Sequence, residues 1–77
     1  MRYGIGYFIP VGVDRIEGWK EKLESEIRKI DAIIEEHNLP HVFEDVVEAT
    51  GVAQLIKEHL GETEIIVEVS VELVKNR

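Results

Sequence analysis

The chain contains no cysteine, and that absence removes several chemistries at once. No disulfide can staple it, no metal site can be built on thiolates, and no thiolate nucleophile is present. It also fits a reducing compartment. Proline is scarce, with only Pro10 and Pro40, and aromatics make up 6% of the residues. Glutamine occurs once, as Gln54, and methionine once, as Met1. No run approaches the ~18 apolar residues of a membrane span. Met1 and Arg2 lead into an alternating pattern and not into the continuous apolar stretch of a secretory signal. These features predict a soluble, cytoplasmic protein.

What is present is short and acidic. A length of 77 residues sets the expectation of one domain over 1–77. A chain of this size buries only roughly 60–65% of the surface its unfolded form exposes, so small scaffolds usually draw on an extra source of stability. Without disulfides, that source is good local design or association. Asp and Glu outnumber Lys and Arg by 16 to 9, for a net charge of −7. Residues 1–39 carry 8 acids and 6 bases, and residues 40–77 carry 8 acids and 3 bases. A field of that sign repels phosphate backbones and anionic membrane surfaces. It suits a basic protein partner or simple solubility. The wealth of Glu, Lys, Ile and Val leans toward a thermophile.

Two segments read as strands. From Met1 to Val13 every odd position is apolar or aromatic, which is the period of a strand with one buried face. Pro10 predicts an edge or an ending there. From Glu62 to Lys75 the odd residues Thr63, Ile65, Val67, Val69, Val71 and Leu73 form one face of a second long strand.

Between them lie two helical patterns. Ile16, Trp19, Leu23, Ile27, Ile30, Ile33 and Ile34 recur in threes and fours, predicting a helix from about Arg15 to His37. Asp14 with Glu17 resembles a capping box. Asn38 suits the left-handed end and Pro40 stops the helix. Glu24–Arg28, Lys20–Glu24 and Lys22–Glu26 are spaced as surface pairs. Apolar residues from His41 to Leu60 also follow helical spacing, and Gly61 suits a terminal cap. Gly51 raises the option of two short helices with Thr50 capping the second. The apolar residues of Val42–Val47 are β-branched or aromatic, which leaves open a short strand there instead.

The order predicts an α+β domain, a two-layer β-α-α-β arrangement of long antiparallel strands with two helices on one face. Two strands alone are marginal and leave two long edges unpaired. The sheet is therefore expected to be extended by homodimerisation or higher assembly. Phe8, Ile66 and Val74 are the apolar residues of the outer face, and they are the interface candidates.

The chemical motifs are sparse. Gly4-Ile5-Gly6 lies inside a strand and does not open a helix, so it is not a nucleotide loop. The turn Gly12-Val13-Asp14 already carries a negative charge where an anion would sit. His37 and His41 are four apart, a ligand spacing, with Glu44 near enough in sequence to complete a metal set. Asn38, Leu39 and Pro40 interrupt the helix between the two histidines. Glu64, Glu68 and Glu72 form a carboxylate row, most simply a solvated face that discourages edge aggregation. The hydroxyls Ser25, Ser70, Thr50, Thr63, Tyr3 and Tyr7 show no nucleophile arrangement, so no enzyme is expected, and no cofactor is implied.

Residues 45–60, with Gly51-Val52-Ala53 and Leu60, resemble the helix-turn-helix pattern of bacterial repressors. Lys57 departs from it where an apolar residue belongs. The resemblance implies groove-reading roles for Gln54, Lys57 and His59. Glu44, Glu48 and Glu58 oppose DNA binding. The leading expectation is a non-catalytic module that assembles with copies of itself. A DNA-binding regulator using residues 51–60 stands second. A domain binding a small ligand or divalent cation through histidines and carboxylates stands third.

Overall fold

The computed structural model describes residues 1–74. Strand β1 is Arg2–Phe8, helix α1 is Trp19–Glu36, helix α2 is Val46–Leu60, and strand β2 is Glu68–Val74. A single turn of 3-10 helix, Val13–Arg15, lies between β1 and α1. The two strands pair antiparallel. Tyr3 stands opposite Leu73, Ile5 opposite Val71, and Tyr7 opposite Val69. The odd residues of both strands therefore share one face, as the alternation predicts. Ile5, Val69 and Val71 from that face join Ile30, Ile33 and Ile34 of α1 and Ala53 and Ile56 of α2 in one apolar cluster.

Both strands are shorter than the sequence pattern suggests. β1 ends at Phe8, two residues before Pro10, whose missing N–H cannot extend a ladder. β2 starts only at Glu68, so Glu62–Val67 is not strand. Lys75, the predicted strand end, lies outside the described residues.

Helix α1 starts at Trp19 and not at Arg15. Asp14 sits inside the 3-10 turn, and the helix is entered from Gly18 with φ of 71° and no side-chain cap. That left-handed conformation suits glycine and excludes a continuous helix from residue 15. The C-terminal end follows the expectation closely. Asn38 takes a φ of 55°. Its N–H reaches the Glu35 carbonyl at 3.1 Å, and the Leu39 N–H reaches that of Ile34 at 2.9 Å. These two bonds make a Schellman ending, with Leu39 tucked against the core.

Helix α2 is capped by Asp45, whose carboxylate accepts from the Val47 N–H at 3.0 Å. It runs unbroken through Gly51 to Gly61. Thr50 does not cap a second helix, because its hydroxyl donates to the Val46 carbonyl within the same one. The short-strand option for Val42–Val47 survives as a single bridge. Phe43 exchanges two backbone hydrogen bonds with Tyr3, at 2.7 and 2.8 Å, on the edge of β1 away from β2.

His37 caps α1, His59 lies in the last turn of α2, and their rings are 4.6 Å apart. The C-terminal ends of the two helices thus meet, whereas a simple antiparallel hairpin would bring the end of α1 to the start of α2.

Candidate interaction edge of β1

Along a strand, successive residues aim their N–H and C=O at opposite edges. Tyr3 uses both groups on Phe43, on the edge away from β2. Ile5 and Tyr7 have the same parity, so they aim their groups at that edge too. Pro40 and His41 continue beside Ile5 and Tyr7 as a wall of the neighbouring cleft but form no bridge to them, and among the described residues no other strand pairs there. From Ile5 onward, the backbone groups on this edge of β1 have no strand partner among the described residues.

The edge borders a cleft of about 160 Å³ between β1 and α1. Ile27, Ile30, Asp31 and Ile34 line its helical wall, Ile5, Gly6 and Tyr7 its strand wall, and Pro40 and His41 complete the lining. Beyond the cleft the apolar character continues outward. Tyr7, Phe8, Ile9 and Val11 are all exposed, Phe8 at 61%. Residues 1–13 hold no Asp or Glu, although the whole chain has 16. The devices that usually blunt an edge, a charged residue or proline within the paired region, are missing from Tyr3–Phe8. On β2, by contrast, Glu68 and Glu72 are exposed and charged.

A second arrangement fixes the loop that feeds β2. Glu26 of α1 is 6% exposed. Its carboxylate accepts from three successive amides, Glu64 at 2.8 Å, Ile65 at 3.2 Å and Ile66 at 2.8 Å. The Thr63 hydroxyl closes the same loop onto the Ile66 carbonyl. A run of amides like this is an anion nest, here filled by the protein's own carboxylate. Sequence spacing paired Glu26 with Lys22 on the outer surface, which the structure corrects: Glu26 turns inward, and Lys22 pairs with Glu64 at 2.9 Å. A carboxylate adjoining the apolar stripe, between Leu23 and Ile27, was the available signal. The hydrogen bond and charge of Glu64 raise the Lys22 pKa above its usual 10.5. A raised lysine pKa favours folding below 10.5, and the benefit fades only as pH climbs through the raised value.

The three interface candidates separate. Phe8 is exposed, as expected for an outer-face residue. Val74 is half-buried and lies across Gly4, where an added Cβ would meet its Cγ2 at 3.1 Å. Ile66 is a correction. It is 4% exposed and belongs to the core cluster, because the Glu26 clasp breaks the strand alternation before Glu68. The carboxylate row breaks up for the same reason: Glu64 pairs with Lys22, and Glu68 with Lys57.

Of the proposed metal set His37, His41 and Glu44, His41 stands beside the β1 cleft, while His37 meets His59. Among the described residues no three of His, Asp and Glu gather as a metal-binding group. The helix-turn-helix expectation is also corrected. A recognition helix needs a turn at Gly51-Val52, and α2 is continuous there. Of its three groove-reading residues, Gln54 is exposed, Lys57 is held by Glu68, and His59 rests on His37. A Cβ on Gly51 would meet nothing within 4 Å. Gly51→Ala is therefore expected to stabilise the fold by about 0.5–1 kcal/mol, read from denaturant midpoints. A loss of stability would restore the turn.

No family model, curated protein or solved structure matches this chain. Among the described residues no helix is long and apolar enough to cross a membrane.

Proposed function

We propose that this chain is a non-catalytic assembly module that works as a homo-oligomer, its β1 edge pairing with the β1 edge of a second copy. The observation that carries this reading is the open edge at Ile5 and Tyr7 beside the apolar wall of α1. An antiparallel pairing centred on Tyr7 sets Ile5 of each copy opposite Ile9 of the other. The parity of β1 makes Ile5 a hydrogen-bonding position, and the pairing requires Ile9, just past the end of β1, to extend the strand by one residue. The result is a four-stranded sheet ordered β2-β1-β1-β2, with the helices as a second layer.

A second copy suits this edge for a reason of charge. Two chains of net −7 repel wherever their acidic surfaces meet. The stretch 1–13 is free of acids, so the two copies come together where repulsion is least. A two-fold axis makes the contact self-complementary and closes the assembly at a dimer. Pairing also supplies the third and fourth strands that a lone two-stranded sheet lacks for independent stability.

Light scattering on a sizing column tests this at two protein concentrations. The expected mass is twice the 8.8 kDa of one chain, with a melting temperature that rises with concentration. A strict monomer at the higher concentration sinks the proposal.

A further inference from the structure

The geometry points to a two-histidine site for a zinc-class divalent ion where the C-terminal ends of α1 and α2 meet, with His37 and His59 as its ligands. The ring centres lie 4.6 Å apart, with planes at 71°. Two imidazoles bound to one ion through bonds of about 2.0–2.1 Å, at angles near the tetrahedral one, have centres roughly 5 Å apart. The centre separation is therefore close to that of a chelating pair, and a rotation of the exposed His37 ring from its edge contact is what would bring a nitrogen of each ring to one ion. Both residues are exposed, so an ion and its remaining water ligands have room.

The second argument is the state of one ring. Nδ1 of His59 lies 2.9 Å from the Leu55 carbonyl oxygen. A carbonyl can only accept, so this bond requires the proton on Nδ1, and in the neutral ring it leaves the Nε2 lone pair free for an ion. This backbone bond is the outer-shell contact that fixes tautomer and orientation in metal-bound histidines. The third is the field. Two helix C-terminal ends converge here, and each is the negative end of its dipole. Glu35, Glu36 and Glu58 flank the two histidines in sequence and add negative charge.

Imidazole ligands select zinc, copper, nickel and their neighbours over magnesium and calcium, which prefer oxygen. The remaining coordination positions go to water, so the site is open and of moderate strength. Bound there, the ion ties α1 to α2 in the native state only.

The test is titration of metal-free chain with Zn2+, followed by calorimetry and thermal melting. One ion per chain is expected to bind at micromolar affinity, and saturation is expected to raise the melting temperature by at least about 5 °C. His37→Ala and His59→Ala are each expected to weaken binding at least about tenfold, and His41→Ala to leave it unchanged. Mg2+ and Ca2+ should give no rise. In the unaltered protein, zinc should shift the imidazole NMR signals of His37 and His59 and spare that of His41, a readout that needs no variant to fold. Absence of saturable binding up to about 1 mM Zn2+ overturns the site, because that level is about a thousandfold above the expected dissociation constant. Unchanged affinity in His59→Ala, or a shift confined to His41, overturns it equally.

Discussion

Glu26→Ala is expected to lower the stability of the fold by about 3–4 kcal/mol, a large share of what so small a domain has. The carboxylate is 6% exposed and accepts from the amides of Glu64, Ile65 and Ile66. Hydrogen bonds to a charged acceptor contribute about 1.5–3 kcal/mol each, and removing the acceptor leaves three donors facing one another in a part-buried loop. Water entering the space recovers some of this, which is why the expected loss is below the sum. In a domain of this size the drop corresponds to roughly 15–25 °C in melting temperature. Glu26→Gln discriminates the cause. Glutamine keeps nearly the same volume but turns one acceptor into a donor, so it should lose most of the same stability. If Glu26→Gln melts like the parent protein, packing and not amide capture holds the loop. Amide exchange at residues 64–66 should accelerate in either variant.

The second large effect follows from the proposed β1-edge dimer. Ile9→Lys and Tyr7→Pro are each expected to raise the dimer dissociation constant at least about 100-fold, or ~2.7 kcal/mol. A two-fold contact doubles every change. Lysine at residue 9 puts two like charges into a stretch, residues 3–13, that otherwise has no charged side chain, a device by which natural edges avoid pairing. Proline at residue 7 deletes an N–H that points to the open edge and not to β2, so the internal ladder keeps its bonds. Val47, exposed at the start of α2, provides the control: Val47→Lys should leave the dimer intact. Sedimentation at several concentrations measures all three. Dimers unchanged by both edge variants would move the contact to another face.

The parts of this fold that were legible in sequence are those governed by local rules. Strand parity was readable because the odd residues from Tyr3 to Tyr7 and from Val69 to Leu73 alternate without a break. The end of α1 was readable because Asn38 tolerates the left-handed conformation and Pro40 forbids continuation. The parts that were not legible depend on distant partners. Nothing near Glu62–Val67 distinguishes a strand from a loop until Glu26, some forty residues earlier, is known to take its amides. The His37–His59 contact is equally remote, and the local spacing of four between His37 and His41 carries no trace of it. Gly18 was overlooked because its neighbours continue the apolar stripe, although its positive φ decides where α1 begins. At Gly51 the opposite happened. A glycine was read as a turn where the flanking helix formers of α2 carry it through. Of the candidate interaction site, Phe8 and the presence of unpaired edges are legible from the strand count, while which part of the β1 edge lacks a partner depends on the remote Tyr3–Phe43 bridge.

Amide hydrogen exchange along β1 tests the central claim most directly. Gly4 and Gly6 point to β2 and should be protected at any concentration. Ile5 and Tyr7 point to the open edge. If that edge pairs between copies, their amides should be protected as strongly as those of the glycines at high protein concentration and lose protection on dilution. Rapid exchange of Ile5 and Tyr7 beside protected Gly4 and Gly6, at a concentration where the chain is dimeric, would contradict the account.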